Sequence, residues 1–301
     1  MTTTSASPTP APAPPPVGRR GTSSRTPQRP GRRAAHGLRY VVLLLILVIV
    51  LIPAYVLLVT SFKPAAETSS SQAWLLPQNW TLDGWRTAWE VLRDPLVRTF
   101  ALAIPAALLS SVLGSMNGFV LSRWRFPYAN LVFALMLFGM FIPYQAVMIP
   151  LVQMMREIGV ANGIPALIIV HTIFGLPICT LIFRNYYESI PMDLIEAARI
   201  DGAGMLATYA RVILPLSAPG FVVTIIWQFT SVWNDVLFAI FLSNIRNGPV
   251  TIALNALAGG QLSNYAASMA GAMIASVPTL IVYIILGRYF VGGLMAGSVM
   301  G

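Results

Sequence analysis

Six stretches of the chain stay apolar for about twenty residues at a time: 40–62, 100–121, 130–149, 164–183, 220–242 and 269–287. A helix rises 1.5 Å per residue, so about 20 residues cover the ~30 Å hydrocarbon core of a bilayer, and each stretch predicts one membrane-spanning helix. The first has 23 residues with no formal charge and runs through Pro53 to Phe62. That is longer than the apolar region of a signal peptide and predicts a retained span. The pattern therefore predicts an all-α integral membrane protein, with a six-span domain over 39–301. Before it, eight prolines among the first 37 residues, mixed with Ser, Thr, Ala and Arg, cannot bury enough apolar surface to offset chain entropy. Residues 1–38 are thus expected to be a disordered tail.

Composition agrees with this pattern: 56% of the 301 residues are hydrophobic and 10% charged, against about 25% charged in soluble domains. The 19 basic and 10 acidic residues give a net charge of +9, but the first 39 residues alone hold seven arginines and no acid. The remaining 262 residues carry twelve basic and ten acidic groups, so no basic stripe is left to track phosphates, and nucleic acid is excluded as a partner. With both termini on one side, thirteen of the Lys and Arg residues fall on that side and six on the other. The excess predicts that both ends are cytoplasmic. Lys63 is the only lysine and has no spaced glycines before it, so the chain has no P-loop for ATP. Cys179 is the single cysteine, His36 and His171 are far apart, and neither an H-E-x-x-H nor a G-x-S-x-G pattern occurs. No catalytic residue, metal or cofactor is expected on this chain.

The polar positions carry the remaining information. Outside the spans, residues 63–99 hold Trp74, Trp80, Trp85 and Trp89, and the Trp85/Trp89 spacing suits one face of a short interfacial helix. Residues 243–268 read as a second outer loop, either a contact for a soluble partner or a passive connector. Within the fifth stretch, Thr224, Gln228, Ser231 and Asp235 are four, three and four residues apart, so one helix would carry them on a single face. Asp235 is the only acid inside a span, and its charge against lipid would cost roughly 2.5–3.5 kcal/mol. That face is expected to turn to a solute path, with Trp227 and Asn234 beside it, or to hydrogen-bond a neighbouring helix. His171 and Asn117 are expected to be satisfied polar groups in the bundle.

The cytoplasmic stretch 189–215 reads as two short helices. Pro191 suits a first turn, Asp193 sits where the helix dipole favours an anion, and Gly202 can take the left-handed conformation that ends a helix. Ala197 and Ala198 leave room for a close neighbour, and Glu196 and Arg199 can pair with each other or with a partner. The segment is a docking element or an ordinary connector.

Its residues resemble a known motif. Glu196-Ala197-Ala198, three residues, Gly202, nine residues, then Val212-x-Leu214-Pro215 is similar to the EAA motif of ABC-transporter permeases, with Val212 where isoleucine is usual. Ser61-Phe62-Lys63-Pro64, Arg123-Trp124-Arg125-Phe126-Pro127, Ile200-Asp201-Gly202-Ala203, Trp233-Asn234-Asp235 and the end from Arg288 to Gly301 resemble the carbohydrate-uptake branch, in particular the smaller permease of maltose-type importers. The resemblance covers about 39–301. Arg98-Thr99-Phe100 stands where the family often has Asn-Ser/Thr-Leu, and Met300 where it often has a lysine. The resemblance implies a type I importer permease in a bacterial plasma membrane, moving a sugar inward by alternating access. It implies a second permease subunit, two copies of a cytoplasmic ATPase that hold the ATP and Mg, and an extracytoplasmic sugar-binding protein. Glu196, Ala197, Ala198, Arg199, Asp201, Gly202, Leu214 and Pro215 would couple to the ATPase. A permease for a non-sugar solute is the alternative. An ion-coupled secondary transporter fits less well, because it would carry several intramembrane ionisable groups and an internal repeat.

Overall fold

A computed structural model describes residues 30–124, 126–160, 162–259 and 264–296, and among them the secondary structure is helical throughout. Helix α1 (Pro30–Ser61) begins inside the stretch expected to be disordered, while residues 1–29 lie outside the described ones. The chain divides into two units, Met1–Ile52 and Pro53–Gly301. The described part of the first unit is helical, and its side chains from Leu38 to Ile52 are all exposed. A helix that is apolar all round is suited to lipid.

In the second unit, α2 (Asp83–Arg123) packs most extensively against α5 (Ile164–Glu188), then against α9 (Ala218–Trp233) and α12 (Tyr265–Ala296). Small residues let the backbones approach. A β-carbon at Gly114 would lie 2.4 Å from the Cys179 β-carbon, and one at Gly118 would lie 2.7 Å from that of Phe183. Together with Ala103, Ala106, Ala107, Ser110, Ser111 and Ser115, all buried, they form the small-residue face by which membrane helices gain van der Waals contact.

Gly37–Ser61, Asp83–Arg123, Ile164–Glu188 and Tyr265–Gly287 are each long and apolar enough to cross a membrane. Two of the six expected spans are not single helices. Stretch 130–149 becomes α3 (Ala129–Gly139), a break ending at Pro143, a 3₁₀ turn (Tyr144–Val147) and α4 (Met148–Glu157), bent by 88°. Pro143 has no N–H to donate and disfavours helical backbone in the residue before it. Stretch 220–242 becomes α9 and α10 (Leu237–Leu242), interrupted at Asn234–Val236. Here polar side chains compete with the helix. Asn234 Nδ2 donates to the Thr230 carbonyl (2.8 Å), and the Asp235 carboxylate accepts the amides of Phe238 (3.5 Å) and Ala239 (3.3 Å), capping α10.

The outer segments also differ from expectation. Trp85 and Trp89 belong to the first turns of the 41-residue α2, not to a separate short helix. The 243–268 segment is not a loop throughout, because it contains α11 (Val250–Gly259), packed on α2 and α12. Arg98 and Thr99, at the departure from the family's usual entry, hold this segment in place: Arg98 Nε donates to the Gly248 carbonyl (2.9 Å), and Thr99 Oγ1 accepts the Val250 amide (2.8 Å). Lys63 is buried, with Nζ donating to the Gln72 carbonyl at 2.6 Å.

Candidate functional site

The EAA segment folds into α6 (Met192–Ile200), α7 (Met205–Thr208), a π-turn (Tyr209–Ile213) and the single turn α8 (Leu214–Leu216) leading into α9. Pro191 stands just before α6 as its cap, and Asp193 lies in its first turn. The helix ends as its sequence suggests. Gly202 has φ +80°, its amide donates to the Arg199 carbonyl (3.0 Å), and the Ala203 amide donates to the Ala198 carbonyl (2.9 Å). These paired bonds form a Schellman cap, which satisfies the last carbonyls of the helix.

Glu196, Ala197, Arg199, Asp201, Gly202, Leu214 and Pro215 are exposed. Ala198 is not: it is buried beside Ile195 on the inner face. The alanine pair is therefore split, one methyl facing the bundle and one facing out. No Glu196–Arg199 ion pair forms among the described residues; the Arg199 guanidinium lies 4.7 Å over the Trp124 ring instead, a cation–π contact. Ile200 is 86% exposed and Leu206 65% exposed, so the outward surface of the segment is part apolar and part charged.

Below the segment is a small core of its own: Phe119, Phe183, Tyr187, Ile195, Tyr209 and Ile213. Arg123, at the last turn of α2, fastens the entry. Its guanidinium donates to the carbonyls of Tyr187 (Nε, 3.0 Å, and Nη2) and Ile190. The Tyr186 hydroxyl fastens the exit by donating to the Leu216 carbonyl (2.6 Å).

The polar stripe is largely brought together, but not on one helix. A cleft of about 440 Å³ lies between the breaks of the two interrupted spans. Its lining includes Met140 from the first break and Tyr144 from the 3₁₀ turn after it, His171, Phe174 and Gly175 from α5, Trp227, Gln228 and Ser231 from α9, Asn234 and Asp235 from the second break, and Phe238 from α10. The volume falls in the range of roughly 300–1,000 Å³ typical of ligand sites. Thr224 is outside the cleft. It is buried, and its hydroxyl turns back onto the Gly220 carbonyl (3.0 Å) of its own helix, so it does not join the other stripe members in the cleft. Asp235 lies past the end of α9 and so shares no helical face with Gln228, yet the break swings it into the same cleft.

His171 also departs from expectation. It is 5% exposed, its Nε2 lies 3.5 Å from Asp235 Oδ2, and that nitrogen makes no hydrogen bond among the described residues. A buried imidazole nitrogen at a cleft, with a carboxylate nearby but no hydrogen bond, can take a ligand hydroxyl, whereas a packed bundle would leave it at a cost of about 1–3 kcal/mol. The signal was present in the sequence: one histidine and one acid inside spans are each other's natural partners. Asn117, the other residue expected to be satisfied, stands on the exposed side of α2. Gln228 is the packing member of the stripe. Its Nε2 donates to the His171 carbonyl (3.0 Å), and a β-carbon at Gly175 would come within 2.3 Å of it, so glycine leaves the amide its place. Aromatic rings close one side, with Phe238 stacked on Tyr144 (5.2 Å) and packed against Phe174 (5.0 Å) and His171 (5.3 Å).

Residues 110–294 match the family of binding-protein-dependent transport system inner membrane components, and the chain belongs to that family. A probable ABC transporter permease of Pyrococcus horikoshii is 47% identical over 169 residues, covering 56% of this chain and 62% of that relative. The xylose/arabinose import permease of Haloferax volcanii is 35% identical over 265 residues, covering 78% of this chain and 85% of the relative. The fold matches that of a solved bacterial ABC transporter involved in import of the acidic polysaccharide alginate, with TM-score 0.76 and 21% identity over 88% of this chain and 100% of that one. The chain is thus an integral membrane permease with the type I ABC importer fold. Its family supplies the membrane component of such systems, with the ATPase on a separate subunit.

Proposed function

We propose that this permease moves a sugar or short oligosaccharide into the cytoplasm, and that the cleft around His171, Trp227, Ser231, Asn234 and Asp235 is where it meets the solute. The observation that carries this reading is the composition of the cleft: exposed Trp227, Ser231 and Asn234, a carboxylate, and an imidazole nitrogen that makes no hydrogen bond among the described residues. Aromatic faces take the apolar side of a sugar ring, and mixed donors and acceptors exchange hydrogen bonds with its hydroxyls. The sugar named for the Haloferax relative supports the same class.

The exposed outer face of α6 is the docking surface for a cytoplasmic ATPase. That subunit is present in two copies and holds the ATP and Mg; this chain pairs with a second permease subunit and receives solute from an extracytoplasmic binding protein. Closure of the ATPase pair moves the segment and, with it, the spans. Purification of the tagged chain from its native membrane, with identification of the co-purifying subunits and bound solute, tests the reading. A carbohydrate-binding protein and an ATPase are expected. A complex loaded with an amino acid, peptide or phosphate would overturn the sugar reading, and a chain that imports without an ATPase would overturn the mechanism.

A further inference from the structure

Four hydroxyl groups lie in a continuous buried chain under the EAA segment. Ser115 Oγ of α2 is 2.9 Å from the Tyr209 hydroxyl and 2.6 Å from that of Tyr187, and Tyr187 Oη is 2.9 Å from Ser217 Oγ. Ser217 Oγ is 2.6 Å from the Ile213 carbonyl. Ser115, Tyr187 and Ser217 are fully buried, and Tyr209 is 8% exposed.

Proton counting fixes the direction of every bond. A hydroxyl has one proton to donate, and a carbonyl can only accept. Ser217 therefore donates to Ile213. Tyr187 must then donate to Ser217, Ser115 to Tyr187, and Tyr209 to Ser115. The order is Tyr209, Ser115, Tyr187, Ser217, Ile213 carbonyl, with each proton used once and none left over.

The route leaves the EAA segment at Tyr209, crosses α2 and α5, and returns to the segment at Ser217 and Ile213. The π-turn between Tyr209 and Ile213 keeps both of these residues buried, and such turns recur at functional positions. Farther along, α5 and α9 line the cleft. On α5, Tyr187 and His171 are sixteen residues apart, about 24 Å of helix; from Ser217, the cap of α9, to Ser231 is fourteen residues, about 21 Å. We propose that this hydroxyl relay makes the EAA segment, α2 and α5 one mechanical body, with Ser115, Tyr187, Tyr209 and Ser217 as positioning residues that carry movement of the segment to the cleft. The transport role rests on the docking reading above; the holding role does not.

Tyr187→Phe and Tyr209→Phe keep the rings, which pack against Phe119, and remove only the hydroxyl. The direction of the relay ranks them. Loss of Tyr209's hydroxyl removes only the first donor. Loss of Tyr187's hydroxyl strands the Ser115 proton and leaves Ser217 without its donor. In the purified complex in vesicles, solute imported per ATP is expected to fall about tenfold in Tyr187→Phe, the cost of breaking a buried network at its middle, and less in Tyr209→Phe. The ATPase subunit should be retained in both. Hydrogen exchange of amides 205–217, measured on the tagged chain alone, should speed up in the same order, a readout that needs no ATPase. Wild-type import per ATP and wild-type exchange in Tyr187→Phe would overturn the proposal, as would equal effects of the two variants. A cysteine at position 197 that cross-links to no ATPase subunit would remove the docking reading, and the exchange measurement would still decide whether the relay holds the segment.

Discussion

Gly202 is the residue at which backbone conformation alone sets the identity. At φ +80° a β-carbon is disfavoured, although a β-carbon there would meet nothing within 4 Å, so the cost is strain and not collision. Left-handed backbone costs most residues roughly 1–2 kcal/mol, and asparagine less. Gly202→Leu should leave the spans inserted but loosen the end of α6, lowering either ATPase retention or import per ATP, and Gly202→Asn should recover most of the loss. Equal behaviour of the two would show that the cap does not position the segment. In the cleft, Asp235→Asn keeps shape and part of the α10 cap while removing the charge, so assembly should persist and uptake change. Because that carboxylate is the only formal acid among the described residues lining the cleft, the same variant should raise uptake of an acidic oligosaccharide relative to a neutral one. His171→Ala leaves both amide bonds to Asp235 untouched and should weaken uptake without affecting assembly. If either variant dissolves the complex, the pair holds helices together instead of a solute.

At the scale of elements, the spans and the EAA cap were legible because they follow local rules: apolar length, a first-turn acid and a glycine at the end of α6. The interruptions were not. Residues 220–242 stay apolar enough to read as one helix, and Asn234 and Asp235 look like members of its polar face. Only their bonds to the Thr230 carbonyl and to the Phe238 and Ala239 amides show that they end one helix and begin another. Thr224 fits the helical spacing and still misses the cleft, because its hydroxyl is spent on its own backbone. Spacing fixes a face but does not show which side chains are already bonded. Tyr187, Tyr209 and Ser217 were invisible for a related reason: Ser115 meets Tyr187 and Tyr209 from 72 and 94 positions away, Ser217 joins through Tyr187, and no local pattern marks it. A practical consequence separates the stripe members. Thr224→Ala should leave uptake near wild type, whereas Ser231→Ala and Asn234→Ala, both exposed in the cleft, should raise the solute concentration needed for half-maximal uptake.

For the whole molecule, α2 relates the charge pattern to the membrane. Its 41 residues extend about 60 Å, well beyond the ~30 Å hydrocarbon core. Arg98 and Arg123 lie 25 residues apart, about 38 Å, and each spends its guanidinium on backbone carbonyls at one end of the bundle: Arg98 on Gly248, Arg123 on Tyr187 and Ile190. Two arginines so placed stand farther apart than the hydrocarbon core is thick, with the EAA segment at the Arg123 end and the 243–249 turn at the Arg98 end. The excess of thirteen Lys and Arg over six predicts that the Arg123 end is cytoplasmic. Single cysteines at Ser70, Asn247 and Glu196, introduced beside Cys179, which is buried, test that orientation directly. A membrane-impermeant thiol reagent added to intact cells should label positions 70 and 247 and reach position 196 only after permeabilisation. Labelling of 196 from outside would invert the molecule, put the EAA segment out of reach of any cytoplasmic ATPase, and remove the physical basis for coupling ATP hydrolysis to import through it.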